Sequence, residues 1–262
     1  MKATQLIKEI DQGGYGFKQG FLPTHLLKPI PLDTWVGGAE MENIDAEIVG
    51  TVVDFLVCTI NDASPFPTFQ GLLYRTQAFR GVEAYEVVQE LLGKISGLDN
   101  TSIVAACQLC QYDKISGYAG LNATVNLPNT MAIPNIDTIW NIRRMVKRVQ
   151  KYFEKYGPLV FQGVEVRAPK AVGEIDYMTN RELIDLKVSS RQPNKKQTFQ
   201  VLMYYLMAYY SGEPQFQAIQ YLTLLNPRRG IAYQIVVDKL LPGAVGIVSK
   251  GILGFPHSPR DI

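Results

Sequence analysis

The chain has 262 residues, 47% of them hydrophobic and 19% charged, with a net charge of +2, an ordinary globular balance that excludes a disordered chain. The longest apolar run, Val201–Tyr210, is ten residues, short of the roughly 18 that suggest a membrane span. Two histidines, His25 and His257, deny Ser-His-Asp and HExxH chemistry its raw material, and three cysteines do not suggest a secreted disulfide framework. Lys2, Lys8, Glu9 and Asp11 leave no room for the apolar stretch of a secretion signal, so the cytoplasm is the expected compartment, with no membrane partner. The sequence gives no oligomeric state.

In chain order, residues 12–37 carry Gly13, Gly14, Gly16, Gly20, Pro23, Pro29 and Pro31 and read as irregular chain. GGYGFKQG lacks the Gly-Lys-Ser/Thr ending of a phosphate loop. A helix is predicted over 41–60 from the spacing of Ile44, Ile48, Val52, Phe55 and Leu56. Residues 66–125 read as further helices broken near Gly93, Gly97 and Gly117. Cys107 and Cys110, after Ala105 and Ala106 on an apolar helix, read as core packing rather than a cluster site, which needs four thiolates.

Asp137–Tyr156 is the clearest amphipathic helix, with Ile139, Ile142, Met145, Val149 and Phe153 on its apolar side. Its basic residues from Arg143 to Lys155, with Lys195, Lys196, Arg228 and Arg229, are candidates for phosphate contact or an ordinary solvated face. Strands are predicted at Leu159–Arg167, Val172–Met178, Glu182–Ser189, Phe216–Leu225 and Ile231–Val237, with a helix over Lys196–Tyr210. Helix, three strands, helix, strand is an α/β core. The tyrosines Tyr204, Tyr205, Tyr209 and Tyr210 read as core plus one functional side chain.

The chemistry concentrates in Gly173–Lys187. A hairpin turn centred on Asn180–Arg181 sets Thr179 against Glu182 and Asp176 directly across from Asp185. Lys187 then shares the face of Asp185, Glu174 faces Lys187, and Ile175, Tyr177, Ile184, Leu186 and Val188 point to the other side. Opposed like charges weaken a sheet, and a cation between them removes the penalty. A divalent metal site is therefore the reading to test.

Several stations, in order, resemble the PD-(D/E)XK nuclease superfamily and its RecB-like branch. Glu165 falls on the first strand, Gly173-Glu174-Ile175-Asp176 is similar to the Gly-x-x-Asp strand, and Asp185-Leu186-Lys187 matches the Asp-x-Lys triplet. Gln200 to Tyr204 matches the Gln-x-x-x-Tyr helix, while Gly50 to Asp54 is similar to the Gly-x-x-x-His helix with aspartate in the histidine position. The resemblance implies a mixed sheet flanked by helices. Residues 136–250 would form the nuclease core and 251–262 a tail. Residues 1–135 would be a mostly helical region lending the helix near 41–60 to the core. It also implies a deoxyribonuclease, exonuclease-like or structure-tolerant, in repair, recombination or defence against mobile DNA; RNA stays open as substrate.

In that reading Asp176 and Asp185, with Asp54 and the Leu186 carbonyl, hold Mg²⁺ or Mn²⁺, which prefer hard oxygen ligands. Lys187 orients or deprotonates the attacking water, or offsets charge on the phosphate. Gln200 and Tyr204, one helical turn apart, bind the substrate backbone or brace the site. Glu165 joins the metal or pairs with Arg167 or Lys170, Asp54 is a ligand or a buried structural acid, and Glu174 tunes the lysine. Two alternatives are a domain that grips nucleic acid without cutting and a subunit active only beside a motor ATPase or other protein chain.

Overall fold

The computed structural model describes residues 1–12, 20–33, 41–62, 66–79, 82–118 and 131–257. Most of GGYGFKQG lies outside them. The first part of the chain gives α1 (Ala3–Gln12), a short edge strand β1 (Lys28–Pro31), and helices α2 (Ala46–Asp62), α3 (Phe66–Phe79), α4 (Val82–Gly93) and α5 (Asn100–Tyr118). The rest gives α6 (Ile136–Tyr156), β2 (Phe161–Arg167), β3 (Val172–Met178), β4 (Glu182–Leu186), α7 (Lys195–Tyr210), α8 (Pro214–Gln217), β5 (Tyr221–Asn226), β6 (Ile231–Val236) and α9 (Pro242–Gly246). After α9 a wider helical coil runs over Ile247–Leu253.

The strands form one six-stranded mixed sheet in the order β1-β6-β5-β4-β3-β2. Consecutive strands β2, β3 and β4 pair antiparallel, as their short connections allow. β4 and β5 run parallel, so the chain between them must cross over, and α7 is that crossover. Two apolar cores result. Helices α2, α4, α5 and α6 pack with Tyr177, Ile184, Leu186 and Leu225 on one face. On the other, α1, α7 and the coil after α9 pack with Ile175, Met178, Leu183, Leu222 and Leu224. The architecture is therefore α/β, a mixed sheet between helical layers.

Local chemistry accounts for the two principal helices. Asn135 caps α6 by accepting the amide of Thr138, and Gly157, at φ +133°, ends it. Its predicted apolar residues Ile139, Ile142, Met145, Val149 and Phe153 are all buried. Asn194 and Gln197 form a capping box at the start of α7. Val201 to Ala208 are buried without interruption, so α7 is wrapped on all sides.

Three details of the expected organisation change. Residues 28–31 form a strand on β6, not irregular chain, since Pro29 and Pro31 are tolerated at a sheet edge. The first 135 residues thus supply β1 and α1 to the layers as well as α2. Phe216 lies in a helical turn begun by Pro214, and β5 starts at Tyr221. β4 ends at Leu186 rather than Ser189, although the Lys187 amide still donates to Leu225 at 2.9 Å.

Part of the anticipated basic surface is taken up by contacts within the chain. Arg148 is buried, paired with Asp33 and donating to the Pro227 carbonyl at 2.6 Å. Arg228 is buried against Glu42 at 2.7 Å. Lys195 and Lys196 both pair with Asp11, and Arg229 donates to the Ser190 carbonyl. These groups close long loops, which is a better use of a fixed guanidinium fork than a solvated face. Lys147, Lys151 and Lys155 remain exposed on α6.

Candidate active site

The β3–β4 register is set by a tight turn. The Thr179 amide donates to the Glu182 carbonyl at 3.0 Å, Met178 pairs with Leu183, and Tyr177 pairs with Ile184. The next step of that register sets Asp176 opposite Asp185. There the ladder stops: the Asp176 carboxylate itself takes the Leu186 amide, at 2.6 Å. On its other side β3 also loses a step, because β2 pairs at Gln162↔Tyr177 and resumes at Val164↔Ile175. The skipped residue, Gly163, has φ +61°, a left-handed conformation that glycine accepts freely.

This break undoes the regular alternation along β3. Ile175 belongs to the core beneath α7, whereas Tyr177, two residues on, belongs to the core beneath α6. Gly173 also faces α7, and a Cβ there would stand 2.4 Å from the Tyr204 ring. Glu174 consequently turns toward α2. It does not face Lys187; it lines a pocket of about 310 Å³ with Asp54, Asp176, Cys58 and Gly163.

Asp54 reaches the same pocket from α2. Tyr177 fixes it by donating its phenolic hydrogen to the Asp54 carboxylate, with the Cys58 sulfur 4.0 Å from the Tyr177 oxygen. Burial, then the Glu174 and Asp185 charges, push the Asp54 carboxyl upward, against the opposing Tyr177 bond. Burial also drives Asp176 well above the ordinary carboxylate value, aided by the charges of Asp185 and Asp54. Asp185, only 1% exposed, is raised by burial despite Lys187. Burial pulls Lys187 down, but the Asp185 and Asp176 charges outweigh it and hold the ammonium charged.

Lys187 Nζ stands 2.6 Å from Asp185 Oδ2 in an ion pair, and Asp185 Oδ1 has no partner. A buried carboxylate with open lone pairs is costly unless a cation serves it. Tyr204, buried above Gly173, accepts from Gln200 Nε2 at 2.8 Å, and its hydroxyl is raised first by burial and then by Asp185 and Asp176. Gln200 and Tyr204 thus brace one another on the α7 side. Leu186 supplies its amide to Asp176 and its side chain to the α6-side core.

Not every candidate converges. Glu165 stands opposite Glu174 in the ladder but is exposed and pairs with Arg167 at 2.5 Å. Asp185 and Lys187 do not line the 310 Å³ pocket, which reaches Asp176 from the α2 side. Among the described residues, no three His, Cys, Asp or Glu side chains form a ready metal cage. Asp54 is engaged by Tyr177, Asp176 by an amide and Asp185 Oδ2 by Lys187, while Asp185 Oδ1 has no partner and fits a hard cation. Cys107 and Cys110 are packed in the α2–α6 core, where burial pushes the Cys107 thiol up to about 12 and Cys110 up as well.

Sequence reasoning missed Tyr177, counted only as an apolar-face residue, and Gly163. A glycine inside a strand was the available signal, since it weakens the pairing and admits a left-handed residue. No helix among the described residues is long and apolar enough to cross a membrane. No protein-family model matches the chain, and no curated protein or solved structure does either.

Proposed function

We propose that the chain is a divalent-metal-dependent nuclease with a PD-(D/E)XK core of the RecB-like branch, hydrolysing phosphodiester bonds in DNA. The observation that carries this reading is the buried group Asp54, Asp176 and Asp185, all raised by burial, with Lys187 paired to Asp185 at 2.6 Å and Asp185 Oδ1 left without a partner. Placing so many acids together is destabilising unless the site takes a cation. Asp176, Asp185 and the Leu186 carbonyl would hold Mg²⁺ or Mn²⁺, with Asp54 beside them. The ion would lower the pKa of a water and polarise a phosphoryl oxygen.

The remaining work belongs to the chain. Lys187 pairs with Asp185; parted from it, the ammonium can orient the attacking water or offset charge on the phosphate. Tyr177 holds Asp54 in its orientation, so the aspartate in the histidine position of the helix motif has its own support. Gln200 and Tyr204 present an amide and a hydroxyl from one face of α7.

The test is degradation of labelled single-stranded, linear duplex and circular DNA, and of RNA, with Mg²⁺ or Mn²⁺. Wild type is expected to cut only with the cation, and Asp185→Ala and Lys187→Ala to lose about 100-fold or more. Equal rates in the three proteins remove the assignment. Salt-sensitive retention without cutting under any cation selects a grip-only domain, and activity appearing only with a motor ATPase selects the subunit reading.

A further inference from the structure

A second and larger cavity, of about 550 Å³, adjoins the acid pocket, and Asp62 and Gln162 line both. Its volume falls within the roughly 300–1,000 Å³ of small-ligand sites. It lies between the end of α2, α6 and the start of β2. We infer that it receives an unpaired nucleobase of the strand whose phosphate sits at Asp176, making a locally single-stranded nucleic acid the substrate. The inference rests on the nuclease reading and narrows it.

Three features of the lining select a base over other occupants. Phe153 and Phe161 supply rings, and Phe161 is 39% exposed, an open flat surface at the mouth. Every base has a π-face that such a ring can stack on. Asn61, Gln150 and Gln162 supply amides, which carry a donor and an acceptor each and match the edge of an unpaired base. Asp62 and Glu154 add carboxylates, acceptors without a competing donor.

Charge excludes the phosphate from this cavity. Asp62 and Glu154 line it, and among the described residues the lining includes no lysine or arginine. Carboxylates repel a phosphate but accept from exocyclic amino groups of bases. The acid pocket, lined by Asp54, Asp62, Glu174 and Asp176, repels a bare phosphate as well, but the cation proposed there would hold one; with it bound, the strand is oriented base into the larger cavity and backbone toward the acid pocket beyond Gln162. A base in a duplex keeps its edge paired and its faces stacked, so it cannot enter without being unpaired.

The probe is a fluorescein-labelled single-stranded DNA about 15 nucleotides long, compared with copies carrying one abasic residue at successive positions. Retention is measured by anisotropy with Ca²⁺, another hard cation that takes oxygen ligands, and cutting in parallel with Mn²⁺. An abasic residue at one position is expected to weaken retention about 10-fold, the size of one lost stacking contact. Phe161→Ala and, independently, Gln150→Leu should erase that position-specific difference, with thermal melts showing that each protein folds. Equal retention of every strand, or a difference surviving in both variants, overturns the inference. Cutting together with position-independent retention sinks the base cavity and leaves the nuclease. A position-specific penalty without cutting does the reverse, and neither signal removes both.

Discussion

The two faces of the sheet are built from different material. Under α7 the packing is almost wholly apolar, from Phe199 and Val201 to Leu222 and Ile235. Under α6 the sheet carries buried polar pins. Glu182, 3% exposed, accepts from Tyr152 at 2.6 Å, from Gln234 at 2.7 Å and from Thr223. The Arg148–Asp33 and Arg228–Glu42 pairs fasten distant segments on the same side. Apolar packing tolerates sliding, whereas a buried hydrogen bond fixes one arrangement. Asp54 arrives from the pinned side, and Gln200 and Tyr204 from the apolar one. The break at Asp176 lets both meet a single strand.

The strongest test of this contrast is Glu182→Ala. It leaves the buried Tyr152 and Thr223 hydroxyls without their acceptor, while Gln234 keeps Thr223, and urea denaturation should show a loss of about 3–5 kcal/mol, as for other broken buried networks. A loss under about 1 kcal/mol, typical of a surface change, would mean that the α6 side is not pinned.

Next in size is Tyr177→Phe, which removes the donor that orients Asp54 while keeping the ring. Stability should fall by about 1–2 kcal/mol, and cation-dependent cutting should drop by about 10-fold. Unchanged cutting would place Asp54 among structural acids.

Asp176→Asn should stabilise the cation-free protein, raising Tm by about 2–4 °C if about 1 kcal/mol of repulsion is relieved. Its sign with pH is fixed. Because the Asp176 carboxyl is raised in the folded protein, the folded state keeps a proton that the unfolded chain releases. The associated stability is present at low pH and is lost as pH rises from the ordinary value of 3.8 through the higher folded value. Wild type should thus weaken across that window more than Asp176→Asn does in melts with EDTA. Parallel curves would deny the crowding of charge.

The smallest effect is expected from Glu165→Gln. Its partner Arg167 is exposed, so stability should move by less than about 0.5 kcal/mol, with cutting unaltered. A loss of activity would bring Glu165 into the site from the rim.

What could be read from the sequence was local. Periodicity predicts α6 and α7 to within a residue, and the Thr179–Glu182 turn sets Asp176 against Asp185 because a hairpin carries its own register. The opposite alternation of Ile175 and Tyr177 was not legible, since strict period two was assumed through β3, whose pairing lapses on both sides at Asp176. Nor were the fates of Arg148 and Arg228. A charge run looks the same whether it meets solvent or an acid far along the chain, and Asp33 lies 115 residues from Arg148.

The proline-bearing strand β1 has a consequence for self-association. Pro29 and Pro31 have no amide hydrogen to offer, so a neighbouring molecule finds half a zipper along that border. The opposite border, β2, ends beside the ring of Phe161. Any molecule that docked its own backbone there would sit across the mouth of the larger cavity, so lateral assembly and strand capture would compete for the same ground.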